Sequence, residues 1–126
     1  MSGMTVRTHV HSVIWIDHFI AKIFSVGMTG ASATAVRARL PSQQLHHKAN
    51  TTGPGCIHED PTFFIRVGEA VGGCTDLLII GPGAEKTDLM HFLIRARPDL
   101  TVHVEPCDRP SDREIVALGR KRFHLD

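Results

Sequence analysis

Four consecutive apolar residues, Val13-Ile14-Trp15-Ile16, leave no polar position on either side of an extended chain. Strand side chains alternate, so this run has to be covered on both faces, as in a central strand of a layered sheet. Leu77 to Ile80 repeats the pattern and ends in Gly81-Pro82-Gly83, which reads as a fully buried strand followed by a turn. The 126 residues suit a single domain, and 42% apolar composition supplies an ordinary core.

The remaining elements follow from periodicity and punctuation. The first strand spans Val10 to Asp17, Asp17-His18 suits a tight turn, and Phe19 to Val26 reads as its partner strand. Gly27 to Gly30 punctuates, and Ala33 to Leu40 alternates, with Val36, Ala38 and Leu40 on one face and Arg37 and Arg39 on the other, as an edge strand does. Asp60-Pro61 predicts an N-cap with proline at N1 for a helix bearing Phe63, Val67 and Val71 and closing at Gly72-Gly73. Ala84 to Ala96 is a second amphipathic helix and Thr101 to Glu105 a short strand. Ser111 with Glu114 is a capping box opening a third helix that ends in Arg120-Lys121-Arg122. The order βββαβαβα predicts an α/β fold: a mixed five-stranded sheet in order 3-2-1-4-5, ribonuclease-H-like, flanked by helices.

Pro41 to His58 has no apolar periodicity and carries His46, His47 and Lys48. A structureless stretch this long inside a small domain is usually functional or mobile.

Several chemistries are tested by this layout. A two-metal nuclease needs converging carboxylates; Asp17 ends strand 1, but strand 4 ends in Gly81, so Asp17 reads as a turn former. Asp17-His18-Phe19-Ile20 has no glycine and cannot serve as an ATPase phosphate loop. Gly81-Pro82-Gly83-Ala84-Glu85-Lys86-Thr87 falls one residue short of a P-loop and has Glu85 where glycine belongs before Lys86, leaving at most an anion at a helix N-terminus. His46-His47 and Cys56-x-His58 lack zinc spacing, so no metal or other cofactor is expected. Cys56 beside His58 has no third group to orient it as a nucleophile, and Cys74 and Cys107 read as small core residues. Three widely spaced cysteines fit reduced thiols in the cytoplasm, and no apolar stretch approaches the roughly 20 residues of a membrane span.

Net charge is +1, so affinity for nucleic acid has to come from clustering. Arg37, Arg39, Lys48, Lys86, Arg109, Arg113, Arg120, Lys121 and Arg122 are the candidate phosphate contacts, against the simpler reading that each solvates its own helix or strand face. Interleaved aromatics for base stacking are largely missing: there is no tyrosine, and the one tryptophan lies in a buried strand.

Strand 1, Ala21-Lys22-Ile23-Phe24, Leu45-His46-His47-Lys48-Ala49 and the segment Leu78 to Leu89 together resemble the short bacterial family called translational machinery protein, over residues 10 to 123. That family is related to the middle domain of archaeo-eukaryotic peptide-chain release factors. The resemblance implies the same fold and a ribosomal or tRNA setting. In the release factors the loop after strand 3 carries Gly-Gly-Gln; the matching stretch, Pro41 to Glu59, holds Gly53-Pro54-Gly55-Cys56 instead, so no catalytic residue carries over. Three functions are therefore expected to compete. The first is a non-enzymatic domain binding ribosome or tRNA through His46, His47 and Lys48 with Arg37, Arg39, Lys86 and Arg120 to Arg122. The others are a hydrolase acting on peptidyl-tRNA or another ester through the loop histidines, and a homo-oligomeric module pairing through strand 3 or the loop.

Overall fold

The computed structural model describes residues 10–28, 30–39 and 60–125. Within them a five-stranded sheet runs in the order β3-β2-β1-β4-β5, with β1 at His11–Ile16, β2 at Ile20–Val26, β3 at Ala31–Arg37, β4 at Asp76–Gly81 and β5 at Thr101–Pro106. Helices α1 (Phe63–Ala70), α2 (Glu85–Ala96) and α3 (Asp112–Arg122) alternate with the last strands. β1 is antiparallel to β2 and parallel to β4, β2 is antiparallel to β3, and β4 is parallel to β5. The fold class and strand order are those expected.

The two apolar runs are the pair at the centre of the sheet. Val13, Ile14 and Ile16 are fully buried and Trp15 is 4% exposed, as are their counterparts on β4 to within a percent. Alternation sends Ile14, Ile16, Leu77 and Ile79 to one face with Phe63 and Val67 of α1 and Leu89 and Leu93 of α2. Val13, Trp15, Leu78 and Ile80 go to the other face with Ile115 of α3. Each doubly buried strand thus holds two helical layers on one sheet, and each large side chain so buried contributes roughly 1.5–3 kcal/mol.

Two glycines permit the close approaches this requires. A Cβ on Gly81 would lie 2.2 Å from the Ile16 carbonyl oxygen, so the end of β4 can draw against β1 only without a side chain. A Cβ on Gly119 would meet Val13 Cγ2 at 2.4 Å, and its absence lets α3 settle onto the sheet. Ser111 caps α3 in the expected capping box: its hydroxyl accepts from Glu114 N–H, and Glu114 accepts from Ser111 N–H.

Several boundaries move. β3 begins at Ala31 rather than Ala33, because the Gly27–Gly30 turn closes tightly (Gly27 N–H to Gly30 carbonyl, 2.9 Å) and ladder pairing starts at once with Val26. β2 begins at Ile20, leaving Phe19 in the turn. Asp60 is not the N-cap of α1; Thr62 is, and Asp60-Pro61 forms a preceding turn in which Phe63 N–H donates to the Asp60 carbonyl.

Candidate nucleic-acid interface

All parallel strands end at one edge of the sheet, here termed the carboxyl edge, where β3 also ends and β2 begins. Open α/β sheets gather ligands at this edge because the connecting loops converge there. Its turns are held by side chains. Asp17 Oδ1 accepts from the N–H groups of Phe19 (2.8 Å) and Ile20 (2.9 Å), and Asp17 N–H donates to the Ile20 carbonyl (3.0 Å). Asp17 is the turn former expected of it. Its Oδ2 faces Arg109 at 3.5 Å, and the Arg109 guanidinium lies over the Trp15 ring, 5.3 Å from its centroid. Across the β1–β4 crevice His18 Nδ1 meets Glu85 Oε2 at 3.0 Å.

A second knot lies where the chain leaves and re-enters around residues 40–59. The side chain of Asp60 is 4% exposed. Its carboxylate accepts from Arg39 N–H (2.7 Å), from Thr62 N–H (2.9 Å) and hydroxyl (2.7 Å), and from the Arg66 guanidinium. Burial alone would raise its pKa, but the Arg39 and Thr62 donors and Arg66 overcome that and hold the carboxyl well below the usual carboxylate range. Arg66 also donates to the Arg37 carbonyl (3.0 Å). The flanks of residues 40–59 are therefore clamped together at the carboxyl edge.

The candidate basic residues do not gather into one cluster. Arg37 and Arg39 are exposed at the carboxyl edge, and among the described residues no carboxylate bonds their guanidinium groups. Lys86 follows β4 on the same edge, with Nζ turned back to the Gly83 carbonyl at 2.7 Å. Arg109 is exposed beside them. Arg120, Lys121 and Arg122 lie in the last turn of α3, an 11-residue helix leading away from this edge by about 16 Å. Arg120 donates to the carbonyls of Gly27 (3.0 Å) and Gly30 (3.3 Å), closing the β2–β3 turn, and Arg122 pairs with Glu105 (3.5 Å) and contacts His103 Nδ1 (3.2 Å). The exposed Arg113 sits in the first turn of α3. His46, His47 and Lys48, together with Cys56 and His58, lie outside the described residues.

The start of α2 is a poor anion site, since Glu85 and Asp88 occupy its first turn and compete for the helix dipole. Cys74 is buried and Cys107 half-buried; burial pushes both thiols up, consistent with packing rather than reactivity. Among the described residues no His, Cys, Asp or Glu cluster is arranged to hold a metal ion.

Two features of this edge escaped the sequence reading. Phe19, the first residue of the expected strand, is 57% exposed in the turn. Asp60 and Arg66 form the clamp between Arg39 and Thr62, and only the Asp-Pro step hinted at it.

No protein-family model matches the chain, and no curated protein does. Solved structures do. Pelota of Archaeoglobus fulgidus superposes with a TM-score of 0.64 at 15% identity, over 94% of this chain and 33% of that one. Dom34 of S. cerevisiae, a translation termination-like factor involved in RNA quality control pathways, gives 0.52 at 8% identity over 91% and 36%. The archaeal translation termination factor aRF1 gives 0.50 at 13% identity over 92% and 41%. This chain thus spans about a third to two-fifths of those proteins. At such low identity the likeness is one of fold: this sheet and its helices form a unit also found within translation termination-like factors.

Proposed function

We propose that the chain is a single, non-enzymatic, translation-associated domain of the cytoplasm. In this reading it binds ribosomal RNA or tRNA at its carboxyl edge, with His46, His47 and Lys48 in the contacting loop. The observation that carries the reading is the Asp60 clamp: it holds the flanks of residues 40–59 together beside the exposed Arg37 and Arg39 at that edge. The likeness to translation termination-like factors supports the setting. No helix among the described residues is long and apolar enough to cross a membrane. Arg120 is engaged at the β2–β3 turn and Arg122 by Glu105, so their weight in binding is expected to be small.

The test is co-sedimentation with ribosomes and tRNA binding over a salt series. Each phosphate contact contributes about 0.7–0.9 to the slope of log affinity against log salt. Arg37→Ala/Arg39→Ala is therefore expected to lower that slope by between one and two. Absence of both ribosome and tRNA binding at low salt would overturn the reading. The hydrolase alternative predicts turnover of peptidyl-tRNA that His46→Ala/His47→Ala abolishes.

A second reading, self-association through β3, has its own support. Gly27 N–H to Gly30 carbonyl (2.9 Å) and Ala38 N–H to Phe19 carbonyl (2.8 Å) set the parity of the β2–β3 ladder. The main-chain groups of Ala31, Ala33 and Ala35 consequently face outwards, and among the described residues no strand lies beyond them. These positions hold no lysine, proline or bulge to block pairing. Light scattering tests this: a dimer that Ala33→Pro dissociates supports it, and a monomeric parent protein overturns it.

A further inference from the structure

An exposed phenylalanine is held on a turn whose backbone is bonded on both sides. Phe19 is 57% exposed, yet its N–H is bonded to Asp17 Oδ1 (2.8 Å) and its carbonyl accepts from Ala38 N–H (2.8 Å). The His18 ring stands edge-on to it, centroids 5.1 Å apart at 88°, and His18 is itself held by Glu85. The phenyl face is thus presented to solvent from a backbone fixed at both ends.

The edge that carries it is rich in arginine. Arg37 and Arg39 flank Ala38, the residue bonded to Phe19, and Arg37 is the ladder partner of Ile20. Arg109 reaches the carboxylate that holds the turn. The acids nearby are largely spent: Asp17 is 13% exposed with both oxygens engaged, and Glu85 is engaged by His18. Asp88, in the first turn of α2, and Asp108 are exposed acids on this side that no ion pair among the described residues holds. An exposed aromatic face on an edge that also carries Arg37, Arg39 and Arg109 matches the chemistry of an unpaired nucleotide, whose base has a π-face and whose flanking phosphates are anionic.

We propose that Phe19 is a stacking platform for one unpaired base of an RNA strand whose neighbouring phosphates lie against Arg37, Arg39 and Arg109. This rests on the RNA-binding reading above and makes it more specific: the ligand carries a single-stranded nucleotide, not duplex alone. A duplex offers this edge phosphates but no exposed base face.

The experiment uses the full chain with two probes, a single-stranded RNA 12-mer carrying 2-aminopurine and a blunt RNA duplex of the same length. The expected result is quenching of the 2-aminopurine by the parent protein. Phe19→Ala should weaken single-strand binding at least about fivefold, Phe19→Trp should retain it, and duplex affinity should not change. Because Phe19 is exposed, the variants are expected to keep the parent circular dichroism and denaturation midpoint. Equal single-strand affinity for Phe19→Ala and parent overturns the platform while leaving RNA binding standing. Equal weakening of both probes by Phe19→Ala also overturns it. Binding of neither probe by the parent at low salt overturns the platform and the RNA reading together.

Discussion

Replacing Asp60 by asparagine should remove about 3 kcal/mol of stability at neutral pH. The carboxylate satisfies two donors of Thr62, the Arg39 N–H and the Arg66 guanidinium from a side chain only 4% exposed. An amide keeps one oxygen for Thr62 but turns an NH2 group toward Arg39 and Arg66, so two donors face a donor. Removing one member of a buried pair costs about 3–5 kcal/mol, and orphaning a buried donor about 1–3 kcal/mol. Arg66 remains 22% exposed and keeps its bond to the Arg37 carbonyl, which favours the lower end of those ranges. With a urea m-value of about 2 kcal/mol/M, the midpoint should fall by about 1.5 M.

The acid dependence supplies the stronger check. Because the folded pKa of Asp60 lies below the unfolded value, its stabilisation is complete above about pH 4 and is lost as the pH falls through the folded value. The parent should therefore lose stability in acid that the variant never had, and the gap between them should narrow by about 1 kcal/mol from pH 7 to pH 3. Urea denaturation at both pH values measures this. A gap under about 1 kcal/mol at pH 7, or one that does not narrow in acid, would refute the argument.

Gly81→Ala should be more damaging than an ordinary glycine substitution, by more than about 2 kcal/mol. Its Cβ would meet a backbone oxygen of β1 at 2.2 Å, and neither central strand can yield without disturbing the core; the denaturation midpoint reads this. Ser111→Ala removes one half of the α3 capping box and should lower stability by about 1 kcal/mol, with Ser111→Asp close to neutral.

The sheet was largely legible in the chain. Val13 to Ile16 and Leu77 to Ile80 can be buried only at the middle of a two-faced sheet, and the α3 capping box is written in Ser111 and Glu114 themselves. Such signals are local: alternation and capping act over a few residues, and the physics that sets them is carried by those residues alone. Which charges meet is a different matter. Arg37, Lys86 and Arg109 are far apart in sequence and share an edge only because three strands end there, whereas Arg120, equally basic, is carried by the length of α3 to the β2–β3 turn at the other end. Asp60 reads as an ordinary N-cap in sequence, and its role as a clamp appears only when Arg39, 21 residues earlier, is brought to 2.7 Å. Phe19 looked like a strand residue, and only the ladder pairing that begins one position later leaves its ring in solvent. Residue identity determined the strands, the helices and the two buried faces, because burial and hydrogen bonding act on neighbours. The tertiary structure decided which polar and aromatic groups share a surface, because that depends on where each element ends in space.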